Sequence, residues 1–186
     1  MKTVVKSLVA ACAAVLVSAA ASAQETAVSV RLSPSYQKAF YGFDGQRGNY
    51  DAFGGTLEVA YIDKALRPSD SHIRLGAGVS VRMPVNLPES VAKADRPDMY
   101  AFLSAGWMFS VGKASLTPML NFGFGVNAFS QACFSAVGIE AGYSVGRFTF
   151  FCTPKFYYSP WVMTGYSYLF GPSVDFGVAF NVFEKR

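Results

Sequence analysis

Residues 71–85, SHIRLGAGVSVRMPV, alternate without interruption. Ile73, Leu75, Ala77, Val79, Val81 and Met83 share one parity, and Arg74, Gly76, Gly78, Ser80 and Arg82 share the other. Successive side chains of a strand point to opposite faces, so this is a β-strand with one apolar face and one face of glycine, serine and arginine. Which face meets water decides the class of protein. A soluble barrel buries its apolar face and presents water with a face dense in Lys, Glu and Asp. Here the polar face consists mostly of small residues, with two arginines set among glycines.

The same pattern recurs seven more times, in residues 28–36, 55–61, 101–111, 116–126, 137–145, 148–158 and 174–182. Each run sets Leu, Val, Phe, Tyr or Trp against Gly, Ser, Thr or Asn. Gly112-Lys113 and Gly146-Arg147 read as tight hairpin turns. The connections at the other end, 37–52, 84–98, about 128–134 and about 159–167, are longer. Residues 63–70 form a connection of intermediate length on the short-turn side. Eight runs, short turns at one end, long loops at the other and both termini at the short-turn end predict an all-β fold. It is an eight-stranded antiparallel up-and-down transmembrane β-barrel with short periplasmic turns and longer extracellular loops. Runs of about ten residues suit tilted membrane strands.

Charge placement orients the barrel. Every charged residue within the runs, Arg31, Glu58, Arg74, Arg82, Glu140, Lys155 and Asp175, lies on the small-residue face. Slipping the register by one residue would turn them all toward lipid, at roughly 2 to 4 kcal/mol for each Arg or Lys at the bilayer midplane. The arginines therefore belong to a lumen in which glycines leave space. Read around strands eight, one, two and three, Asp175, Arg31, Glu58 and Arg74 form a belt of alternating sign. The turn at 146–147 places Lys155 opposite Gly138 and diagonal to Glu140, which predicts an ion pair. The turn at 112–113 sets Phe102 opposite Gly123 and Tyr100 opposite Gly125, each ring facing a gap. Outward aromatics near the strand ends form two expected interfacial girdles: Tyr36 and Tyr158 at the loop end, and Tyr61, Trp107, Tyr143 and Phe148 at the turn end.

Composition agrees with this reading. Of 186 residues, 16% are aromatic and only 15% charged, well below the usual quarter. The chain opens MKTVVKSLVAACAAVLVSAAASAQ, with Lys2 and Lys6 before an apolar stretch and Ala21-Ser22-Ala23 after it. A secretory signal over 1–23, cleaved between Ala23 and Gln24, is expected, with the barrel domain over 24–186. A lipobox-like alternative ending at Cys12 leaves an apolar stretch of only a few residues. Without Lys2 and Lys6, 14 basic residues stand against 12 acidic ones, which gives no cationic patch for nucleic acid.

The sequence offers few parts for catalysis. Its single histidine, His72, is assigned to the short-end connection, and no metal cluster, phosphate loop or cofactor motif is present. No enzyme, no catalytic residue, no metal and no cofactor are expected. Cys133 is read as a free loop thiol and Cys152 as a small lipid-facing residue. They lie roughly 25 Å apart along the sheet by strand rise, too far for a disulfide.

With these runs and turns the chain resembles the small eight-stranded outer-membrane barrels, the OmpA-transmembrane, OmpX-like and OmpW-like group. The resemblance covers the whole mature chain and is architectural. It implies residence in the outer membrane of a diderm (Gram-negative-type) bacterium, a belt of outer-membrane lipid, and assembly by periplasmic chaperones and the barrel assembly machinery. That machinery reads a terminal aromatic in those families, whereas here Phe183 is followed by Glu184-Lys185-Arg186. The expected role is structural or surface-interacting, an adhesion-type contact with a host or extracellular ligand through the loops. Tyr41, Phe43, Tyr50, Trp161 and Met163 are the contact candidates. An OmpW-like conduit for small hydrophobic molecules is the alternative, supported by Phe102, Met108, Met119 and Phe151 on the lumen face. A lipid-modifying outer-membrane enzyme is the third reading.

Overall fold

A computed structural model describes residues 26–43, 46–63, 71–86, 97–126, 133–161 and 166–185. The signal segment, the Ala23-Gln24 junction and Met163 lie outside these residues. Eight strands run β1 (Thr26–Phe43), β2 (Gln46–Asp63), β3 (Ser71–Val85), β4 (Asp98–Val111), β5 (Ala114–Gly125), β6 (Cys133–Val145), β7 (Phe148–Trp161) and β8 (Tyr166–Lys185). Each pairs antiparallel with its neighbours in sequence, and β8 pairs with β1, so the sheet closes on itself.

Alternation becomes inside and outside on every strand. In β5, Leu116, Leu120, Phe122 and Phe124 are exposed while Thr117, Met119, Asn121 and Gly123 are buried. Closure leaves no strand edge, and all the backbone pairing runs around the wall. The turns at Gly112 and Gly146 each place glycine at φ 61° with no positive φ at the following Lys113 or Arg147. That is the type II′ arrangement, which takes glycine at its first central position and matches the twist of the flanking strands.

Several local features differ from the sequence expectations. Residues 37–52 are not an irregular loop: β1 and β2 stay paired from Gln37↔Ala52 to Phe43↔Gln46. Inward and outward alternation continues through Gln37, Ala39 and Tyr41, so pairing continues too. β8 follows β1 as far as Phe43↔Tyr166, and β8, β1 and β2 thus extend together at the loop end. Cys133 opens β6 opposite Trp161 rather than lying in a loop, and Ser159 donates to its carbonyl at 2.5 Å. His72 belongs to β3, opposite Met108. The last strand reaches Lys185, and a bulge beside Val28 pairs that residue with Phe183, so Val182 and Phe183 are both exposed. The extra residue interrupts the two-residue alternation there, as bulges do.

The closing seam is the most interrupted part of the wall. Between β1 and β8, the pairs Leu32↔Val178 and Ser35↔Asp175 flank an unpaired step at Pro34, and Gln37↔Ser173 and Phe40↔Phe170 flank another at Pro172. Proline has no N–H to give a ladder, and both prolines face outward.

Candidate functional site

The lumen is filled in two tiers. The tier toward the turn end is ionic and begins with Glu58 on β2. Its Oε2 receives Arg74 Nη2 at 2.6 Å and lies 3.2 Å from Arg31 Nε, while Oε1 accepts from Ser104 at 2.5 Å. Glu140, from β6 across the bore, bonds Arg31 Nη2 and lies 3.8 Å from Arg74 Nη1, with Thr153 donating at 3.3 Å. Two guanidinium groups and two carboxylates therefore form a closed four-membered cluster. Arg74 is 1% exposed and Arg31 4%. Phe151 covers Arg31 at 4.0 Å from its ring centre. Charges this far from water persist only when paired and hydrogen-bonded.

Local sequence explains how the cluster fits. A Cβ on Gly76 would collide with the Glu58 carboxylate and the Ser104 hydroxyl, so the glycine on β3 makes room for a neighbour's acid. Gly78 does the same for the Phe102 ring, and Gly123 for Phe134. Phe102 stands opposite Gly123 in register as expected, but its ring leans over Gly78 on the other side. The glycines beside the arginines thus accommodate groups from adjoining strands.

Two expected pairings change. Lys155 sits opposite Gly138, yet its ammonium bonds Asp175 on β8 at 2.5 Å rather than Glu140. Asp175 is taken by Lys155, so no belt runs from it to Arg31. Glu140 instead reaches across the lumen. Register identifies neighbours on the wall, whereas long side chains in a narrow bore choose partners through its centre.

The tier toward the loop end is aromatic. Tyr41, Tyr50, Tyr100, Phe102, Phe134, Tyr157 and Leu169 form one buried cluster with Ala39, Ala52 and Ala136. Phe134 stacks on Tyr157 at 5.1 Å and meets Tyr100 edge-on at 5.0 Å; Tyr41 and Tyr50 lie 6.0 Å apart. Tyr41 and Tyr50, expected as loop contacts, therefore face inward and cap the bore. The cause is the extended β1–β2 pairing, which gives odd positions of β1 and even positions of β2 to the lumen. Phe43 and Trp161, also loop candidates, fall in the strand termini of β1 and β7. Arg82 joins this tier, its guanidinium 4.7 Å from the Tyr157 ring centre and donating to Gln37 at 2.7 Å.

Outside, Trp107, Tyr143, Phe148 and Tyr158 are exposed near the strand ends, whereas Tyr36, also exposed, lies seven residues inside the outer end of β1 because that strand continues to Phe43. Tyr36 bonds Asp51 at 2.7 Å, and Lys38 lies 3.2 Å from the same carboxylate, a polar edge above the outer girdle. Tyr61 departs from the expectation: it has outward parity but is buried, flanked in register by Val28 and Leu75. The sequence reading missed Phe40 and Phe170, which stack at 5.6 Å beside the outer girdle. Continuing the alternation of 28–36 through residue 40 would have found Phe40. Cys133 and Cys152 are both free thiols, and no group of His, Cys, Asp and Glu able to hold a metal occurs among the described residues.

An apolar exterior around all eight strands, far larger than the patches water tolerates, surrounds a lumen of paired charge. A closed barrel is also one of the two backbone arrangements hydrocarbon permits. These features define an outer-membrane β-barrel. No protein-family model matches the sequence, and a search of curated proteins returns no match. Among solved structures, the chain is similar to Neisserial surface protein A at 14% identity and a TM-score of 0.51, covering 82% of this chain and 96% of that one. It also aligns with Ail, the attachment invasion locus protein of Yersinia pestis, at 16% identity and a TM-score of 0.45, over 86% and 99% of the two chains. The outer membrane protease OmpT of Escherichia coli aligns at 7% identity and a TM-score of 0.35, over 84% and 96%. The first of these likenesses supports the fold.

Proposed function

We propose that this barrel is a non-conducting, non-enzymatic surface-interaction protein, whose contacts with a host surface or extracellular ligand are made by its loop-bearing end. The observation that carries the reading is the double filling of the lumen. An ionic cluster and an aromatic cap stacked along one bore leave the loop end as the part free to act. The paired extension of β8, β1 and β2 supports it, because it offers a rigid strand surface in place of a loose loop. His72 is on β3 at the turn end, away from the outer leaflet where lipid-modifying chemistry would take place.

The hydrophobic-conduit reading has one observation in its favour, the interrupted β1–β8 seam at Pro34 and Pro172, through which a lateral opening could form. Planar-bilayer recording of the purified barrel separates the two. The surface-interaction reading expects no steady conductance, together with cell-surface binding that is lost when residues 37–52 are replaced by a two-residue turn. Steady channels, or binding indifferent to that replacement, contradict it.

A further inference from the structure

Six of the seven lumen charges predicted from the sequence meet an opposite charge: Arg31 and Arg74 with Glu58 and Glu140, and Lys155 with Asp175. Arg82 does not. Its guanidinium is directed among the faces of Tyr157, Tyr100 and Phe134, at 4.7, 5.5 and 5.5 Å from their centres, and one N–H goes to Gln37 Oε1 at 2.7 Å. Asp98 stands opposite Arg82 in register on β4 and interacts with it electrostatically, without an ion pair closing between them among the described residues. The Tyr157 hydroxyl is directed to that of Tyr100 at 3.4 Å.

The adjoining residue carries the complementary feature. Gln37 is 3% exposed, and its amide nitrogen has no hydrogen-bond partner among the described residues. Accepting from Arg82 fixes which end of the amide is oxygen, so the orphan group is the NH2 donor. Two donor groups therefore adjoin one another beside an aromatic enclosure, one of them cationic, and the Gln37 oxygen is already engaged by Arg82. A guanidinium presents five donors in a planar fork that matches carboxylate, sulfate and phosphate. Aromatic walls exclude water and strengthen such a contact. Arg82 is also only three residues from the outer end of β3, so the site lies toward the loop-end mouth.

We propose that Arg82 and Gln37 form a binding site for one small oxyanion, a carboxylate, sulfate or phosphate, at the loop end of the lumen, with Tyr100, Phe134 and Tyr157 as its walls. The site does not depend on the surface-interaction reading. Asp98 is the acidic group that opposes it, so the bound anion must outcompete a neighbouring carboxylate.

The test uses the full-length folded barrel in neutral detergent, titrated separately with sulfate, phosphate and acetate against chloride at constant ionic strength. Binding is followed by calorimetry and by the midpoint of thermal unfolding. The expected result is saturable, one-to-one binding by at least one of the three ions, weakened about tenfold or more in Arg82→Gln. Asp98→Asn tightens it. Gln37→Glu places a carboxylate on Arg82 from within, so this variant folds and loses its response to added anion, which keeps the test decisive if Arg82→Gln does not fold. No saturable binding by the parent, a response that follows ionic strength alone, or unchanged binding in both Arg82→Gln and Gln37→Glu would overturn the proposal.

Discussion

At the scale of single residues, the lumen cluster works as a unit. Glu140 supplies half the negative charge facing Arg31 and Arg74, and it does so from across the bore. Glu140→Gln keeps the shape and removes the charge, leaving two buried guanidinium groups with Glu58 alone. Breaking a buried pair by removing one partner costs about 3 to 5 kcal/mol, because the remaining charge stays desolvated. Urea unfolding of the barrel in lipid vesicles should show a loss of that order, and a change below about 1 kcal/mol would mean the cluster is not closed. The inward direction of all seven charges was readable from parity, since strict alternation leaves each residue only one face. Their partners were not. Alternation and hairpin register describe neighbours along the wall, whereas Glu140 finds Arg31 through the centre of the lumen and Lys155 prefers Asp175 on the next strand. Asp98, also of inward parity, was missed because it lies at the start of β4, just before the counted run.

At the scale of elements, the transmembrane parts of all eight strands follow from hydrophobic alternation, and the two tight turns from glycine placement. Their outer extensions were harder to see. Residues 37–52 carry Gly42, Gly45, Gly48 and two aspartates, the composition of a loop. Glycine is nonetheless needed within this hairpin: side chains at 42 and 48 would collide with the rings of Tyr168 and Tyr41. Turn-like composition here reflects crowding around two rings, Tyr41 inside the bore and Tyr168 on the outward parity of β8. Amide hydrogen exchange in micelles checks the assignment. Paired amides in 37–43 and 46–52 should be protected on a scale approaching that of the membrane strands, and exchange as fast as a free loop would contradict the pairing. The bulge at the end of β8 was likewise invisible to a count of alternation, because it depends on how the first and last strands meet.

At the scale of the whole molecule, two layers of opposite character explain the fold together. The outer layer is a wall of Leu, Val, Phe and Tyr that only hydrocarbon can solvate, and the inner layer is a column of paired ions beneath stacked rings. Neither layer is stable with the register shifted, since each residue displaced from one layer lands in the other. The most direct measurement of this arrangement places single tryptophans at adjacent positions of β5, Leu120→Trp and Asn121→Trp. The background carries Trp107→Phe and Trp161→Phe, and the vesicles contain brominated acyl chains. Leu120 is 53% exposed on the outer face, and Asn121 is 4% exposed in the lumen. Strong quenching at position 120 and little at 121 is the expected result; equal quenching at both, or quenching at 121 alone, would contradict the orientation of the wall.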